Sequence, residues 1–186
     1  MERIAEECGV ATKTLYNQFG NKDQLIAAAI EELMVSVTEG AKERSPEGGL
    51  ARILALHERM FAYYEHGPSL GKEMLNALRR SGHASPLQGR LERLRSEYVR
   101  LGLQEMESNG DLVAWATAAS VDSLLKAHNR GLMDMWVDGV VATSDLRRRG
   151  LLGTCVVLYA VSQGPIQEQL RTLISTYIEP STERPR

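Results

Sequence analysis

The chain has 186 residues, 43% hydrophobic and 25% charged, with a formal net charge of −2. This is the make-up of an ordinary globular protein with one good core, or a small domain plus a larger one, and not of a disordered or fibrous chain. Cys8 and Cys155 lack metal-type spacing and read as buried small hydrophobes in a reducing compartment, no apolar run nears the ~20 residues of a membrane helix, and no signal-peptide pattern opens the chain, so the cytoplasm is expected.

The first elements lie within residues 4–25. Ile4, Ala5 and Cys8 recur at helical spacing and Gly9 follows, where glycine ends a helix without a Cβ penalty. Val10 is expected to fold back on that helix, and Thr12 to cap a second one that buries Leu15 and Phe19. A helix, a glycine-containing turn and a short second helix make a helix-turn-helix. The outer face of the second helix carries Thr12, Lys13, Thr14, Tyr16, Asn17 and Gln18. Lys13, Asn17 and Gln18 are types that read guanine or adenine edges in the major groove, and Thr14 and Tyr16 suit phosphates. A plain solvated face would instead be rich in Glu and Lys. Asn21 and Gln24 are spaced as a capping box, with Lys22 beside the exposed N–H groups of the first turn as a phosphate contact. Charge is neutral evidence, because three cations and three carboxylates cancel over residues 1–22.

Gly9, Val10, Thr14, Leu15, Tyr16, Phe19, Lys22 and Leu25 form the pattern G-V-x-x-x-T-L-Y-x-x-F-x-x-K-x-x-L. Over roughly the first 35 residues the chain resembles the DNA-binding segment of the tetracycline-repressor (TetR) family of bacterial regulators. The resemblance implies that Thr12, Lys13, Thr14, Tyr16 and Gln18 face an operator, with Tyr16 and Lys22 holding the backbone. It also implies a further helix upstream of Met1. A fragment or a late start is expected, and the alternative is a protein that has lost operator binding.

The third helix is expected from Lys22 through Leu25, Ile26, Ala29, Ile30, Leu33 and Val37, with a boundary over residues 39–49, where Gly40, Pro46, Gly48 and Gly49 fall. Amphipathic helices follow from Leu50 to about His66 and from about Ser69 to Arg80, with a break over residues 81–86. A long helix then carries Leu87, Leu91, Leu94, Tyr98 and Leu101 on one side. Its other side holds Arg90, Arg93, Arg95 and Arg100 with Glu92 and Glu97, and is read as solvated and salt-bridged. Asp111 is expected to cap a helix over 111–136, and Thr143 or Ser144 another over 144–163. Gly164-Pro165 opens a last helix, and the tail from Pro180 reads as disordered. No stretch shows strand alternation, so the fold class is all-α: a headpiece at residues 1–40 and a larger helical domain at 50–180.

Catalytic chemistry has no foothold. The four histidines lack metal spacing, no phosphate loop or nucleophile elbow occurs, and neither enzyme activity nor a cofactor is expected. Met60, Tyr64, Met74, Trp115 and His128 are types that line adaptable apolar pockets, although plain core is the commoner use. The resemblance implies an unidentified small-molecule effector in this region. It also implies a homodimer on a palindromic operator, formed by pairing helices 111–136 and 144–163 into a four-helix bundle. The function read from the sequence is therefore a repressor released from DNA by its effector. The alternative is a helical ligand-binding or interaction module without DNA binding.

Overall fold

The computed structural model describes residues 1–44, 48–81 and 86–178. They form α1 (Glu2–Glu7), α2 (Thr12–Phe19), α3 (Lys22–Arg44), α4 (Gly49–His66), α5 (Pro68–Ser81), α6 (Pro86–Ser108), α7 (Ala118–Val137), α8 (Thr143–Val161) and α9 (Gly164–Tyr177). The fold is all-α. Among the described residues, the β pairing is one bridge between Leu112 and Ser162.

The turn after α1 is a Schellman motif. Gly9 sits at φ 65°, Val10 N–H donates to Ala5 O at 2.9 Å and Gly9 N–H to Glu6 O at 3.1 Å. These bonds occupy carbonyls that the helix end would otherwise leave bare, and they reverse the chain into α2.

Helix α4 lies at the centre and packs on α3, α6 and α8, while α8 also packs on α7 and α9. The reason is its apolar stripe. Leu50, Ile53, Leu56, His57, Met60, Phe61 and Tyr64 are all buried, too wide an apolar face for one neighbour to cover. Glu105 of α6 accepts from Gly49 N–H at the start of α4 and pairs with Arg52 at 3.0 Å, so one carboxylate serves as the missing cap and joins two helices. Gly150 lets α8 approach closely: a Cβ there would stand 2.2 Å from Cζ of Phe61.

Several expected boundaries move, each for a packing or hydrogen-bond reason. Helix α3 runs through Gly40 to Arg44, because Gly40 and Ala41 are buried, Gly40 against the Arg59 guanidinium. Tertiary contact outweighs the roughly 1 kcal/mol that glycine costs a helix. Asp111 caps nothing. Residues 111–117 are tied to the end of α8 by Gln163 N–H to Asp111 O (2.8 Å) and Val113 N–H to Val161 O (2.9 Å). Helix α7 therefore starts at Ala118, capped by Thr117 in a capping box with Ser120. Thr12, Thr143 and Ser144 are not caps either, since Ala11 and Ala142 hold those positions. Thr143 instead accepts from Trp136 Nε1 at 3.0 Å. Cys155 is buried and its thiol is pushed up to about 11, whereas Cys8 is exposed, against expectation. Most of the break at 81–86 and the whole tail from Pro180 lie outside the described residues.

Gly150→Ala is expected to destabilise the fold by about 1–3 kcal/mol through overpacking against Phe61. Urea midpoints of Gly150→Ala with and without Phe61→Leu measure it, and the second substitution should recover part of the loss.

Candidate functional site

Helix α2 has eight residues, and among them Leu15 is the buried one, with Thr12 and Phe19 half-buried. Leu15 and Ala5 of α1 are buried, Ile4, Phe19 and Leu25 are half-buried, and α2 packs on both α1 and α3. With Leu15 turned inward, Lys13, Thr14, Tyr16 (50% exposed), Asn17 and Gln18 all stand in solvent. A helix with side chains is about 10–12 Å across, the width of the DNA major groove.

The turn into α3 completes this surface. Asn21 Oδ1 accepts from Gln24 N–H at 2.9 Å, one half of the expected capping box. Gln24 folds back over Gly20, where a Cβ would stand 2.1 Å from its Oε1. Lys22 is exposed at the first position of α3, beside N–H groups that carry the positive end of the helix dipole.

Residues 1–29 match the family model described as "Bacterial regulatory proteins, tetR family". The headpiece is TetR-like. Among curated proteins and among solved structures, nothing matches the chain.

From the TetR-like headpiece, α3 runs 23 residues into the rest of the molecule. Its middle places Ile30 and Met34 against Met74 of α5, and its far part places Val37 and Ala41 in the main core. Helix α5 is held in turn by α7. Arg79 donates to Asp134 Oδ1 at 2.8 Å and to Asp138 Oδ1 at 2.9 Å, and these hydrogen bonds raise its pKa.

The five residues expected to line a pocket are not gathered around one space. Met60 and Tyr64 are part of the main core, and the Tyr64 ring lies 5.6 Å from that of Trp136. Met74 belongs to the smaller cluster beside α3 and accepts from Tyr63 OH through its sulfur at 3.8 Å. His128 is half-buried, with Nε2 3.3 Å from Gly150 O. Trp115 is 71% exposed, because its loop is tied to the end of α8 and not folded into a helix.

A polar cluster inside the core takes the place of that pocket. His57 is fully buried. Asn129 donates through Nδ2 to its Nε2 at 2.8 Å, so the ring's Nδ1–H donates to Ile53 O at 2.8 Å. Burial lowers the ring's pKa to about 4, with Arg95 and His128 pushing the same way and the Ile53 carbonyl and Asp122 opposing. Arg95 does not lie on a solvated face as expected. Its side chain is 12% exposed and reaches inward to Asp122, which is 5% exposed. Arg93 and Arg100 do remain exposed, and the side chain of Arg90 lies outside the described residues. A sequence signal for this cluster exists: Asp122 and Asn129 interrupt an apolar stripe of Val121, Leu125, Leu132 and Trp136.

The His57 ring titrates near 6.5 when unfolded and near 4 in the fold, so the unfolded chain takes up the proton first. The stability it contributes is complete above pH 6.5 and declines as pH falls to 4, by about 3 kcal/mol. Urea midpoints between those pH values should show this slope, and His57→Gln should flatten it.

Proposed function

We propose that the chain is a transcriptional repressor in the cytoplasm, binding a palindromic operator as a homodimer and leaving it when a small-molecule effector binds the helical domain. The single observation that carries this reading is the exposed row Lys13, Thr14, Tyr16, Asn17 and Gln18 on a helix pinned by Leu15, within the segment that matches the family model. Lys13, Asn17 and Gln18 read base edges; Thr12, Thr14, Tyr16 and Lys22 hold the phosphates.

The division of labour is a DNA-reading part at residues 1–40 and an effector-binding and dimerising part at 50–180. Helix α3 couples them. An effector that binds one arrangement of α5 and α7 better than another moves the α3 contact at Ile30, Met34 and Met74, and so changes the spacing of the two headpieces.

The dimer face is formed by α7 and α8. Leu124 and Met135 stand exposed on α7 with Ala127 and Gly131 between them at three- and four-residue spacing, and Val156 and Ala160 are exposed on α8. Small residues there allow helices of a second copy to approach closely, as a four-helix bundle requires. Two observations favour the second reading, a helical ligand-binding or interaction module without DNA binding. The headpiece has little buried apolar surface, and its charges cancel over residues 1–22.

Fluorescence anisotropy with the intergenic DNA beside the chain's own gene, over a salt series, separates the two. Gln18→Ala and Lys13→Ala are expected to cost about 1–3 kcal/mol on the preferred sequence and to relax base preference. Lys22→Ala should weaken all sequences alike and reduce the salt slope by about 1. A wild-type chain without sequence preference overturns the regulator reading in favour of the second. Val156→Arg should give a monomer in light scattering and lose operator binding with it.

A further inference from the structure

The link from α2 to α3 turns on a single residue. Gly20 N–H donates to Tyr16 O at 2.8 Å at the end of α2, and Asn21 O accepts from Leu25 N–H at 3.1 Å at the start of α3. Asn21 is held further by its Oδ1, which accepts from Gln24 N–H at 2.9 Å. Gly20 stands between these two hydrogen-bonded ends, at φ 76° and ψ −59°.

Those torsions, with Asn21 N–H donating back to Phe19 O at 2.9 Å, make a γ-turn of the rarer hand. An L residue is strained there by its Cβ, and glycine is not. The side chain laid across the turn is not what requires glycine. Gln24 is exposed, so a Cβ at Gly20, 2.1 Å from Gln24 Oε1, meets the far end of a flexible side chain that moves aside.

Packing adds little to fix the angle, because Leu15 is the one buried residue among the eight of α2. Lys13 lies seven residues from Gly20, about 10 Å along the helix at 1.5 Å per residue. A change of about 20° at the turn carries Lys13 through about 4 Å, far outside the distance range of a hydrogen bond. Base edges are lost by such a displacement, whereas the sequence-independent attraction to phosphates is not.

We propose that Gly20 is a positioning residue for sequence reading: its backbone torsion, and no side-chain contact, sets the angle at which α3 presents α2 to DNA. This rests on the DNA-binding reading above and adds to it the joint on which base recognition depends.

Fluorescence anisotropy of the full chain, on the intergenic fragment that the wild type prefers and on mixed-sequence DNA, is the test. Gly20→Ala is expected to weaken binding of the preferred fragment at least about ten-fold and to leave mixed-sequence DNA within about two-fold. Gly20→Asn adds a larger side chain but reaches positive φ more easily, and is expected to cost less than about three-fold. Gln24→Ala alone should stay within about two-fold, and added to Gly20→Ala it should restore nothing. A loss in Gly20→Asn as large as in Gly20→Ala, or recovery through Gln24→Ala, shows that space and not torsion matters and overturns the proposal. If Gly20→Ala unfolds α2, seen as lost helical circular dichroism, Gly20→Asn carries the test: it should keep the sequence preference, and losing it overturns the proposal. A wild-type chain without sequence preference fails the DNA-binding reading itself. The joint is then judged by hydrogen exchange at the Asn21 amide, expected to be faster in Gly20→Ala than in Gly20→Asn, and equal rates overturn it.

Discussion

Helix α3 is packed at both ends, and this constraint decides what the rest of the chain can do. At its start, Asn21 and Gln24 set the turn that positions α2; at its far end, Val37 and Ala41 are locked beside α4 and α6. A helix of 23 residues spans about 34 Å. In the regulator proposed above, this helix is the element that would carry a shift at the buried end to the exposed face of α2.

Between its two ends α3 also packs on α5. Ile30, Met34 and Met74 form a small cluster separate from the main core, rich in methionine, which accommodates sliding better than branched side chains do. The partners of α5 on the other side are exposed: Arg79 with Asp134 and Asp138 is a surface clasp, screened by water and salt. Helix α5 also packs on α4, with Gly71 close against the rings of Tyr64 and Trp136.

The core has an internal tension of its own. It buries Trp136, Phe61, Leu125 and Leu158 in the ordinary way, yet it also buries His57, Arg95, Asp122 and Asn129. Replacing such groups by apolar ones of equal volume often stabilises a protein, so their presence is weak evidence of a purely structural purpose. The neutral His57 and the Arg95–Asp122 pair bring polarity to the level of the core where α4, α6 and α7 meet.

How much of this was legible before the fold was known depends on the range of the interaction. Local patterns determined the helix-turn-helix, because Gly9, Leu15, Phe19 and the polar run from Thr12 to Gln18 act within a few turns of one another. The apolar periodicity of α4, α6 and α8 likewise determined the all-α fold class. Only the tertiary structure decided that Gly40 stays inside α3, since the side chain packing beside it comes from Arg59 on another helix. The same holds for Trp115, left in solvent by backbone bonds to the end of α8, some fifty residues along the chain. Arg95 is the clearest case. Its neighbours Arg93 and Arg100 on α6 are exposed, and it turns inward because Asp122 waits on α7, a partner that no local pattern around Arg95 announces. Periodicity records which face of a helix is apolar, and the partner across an interface is set by how the helices cross.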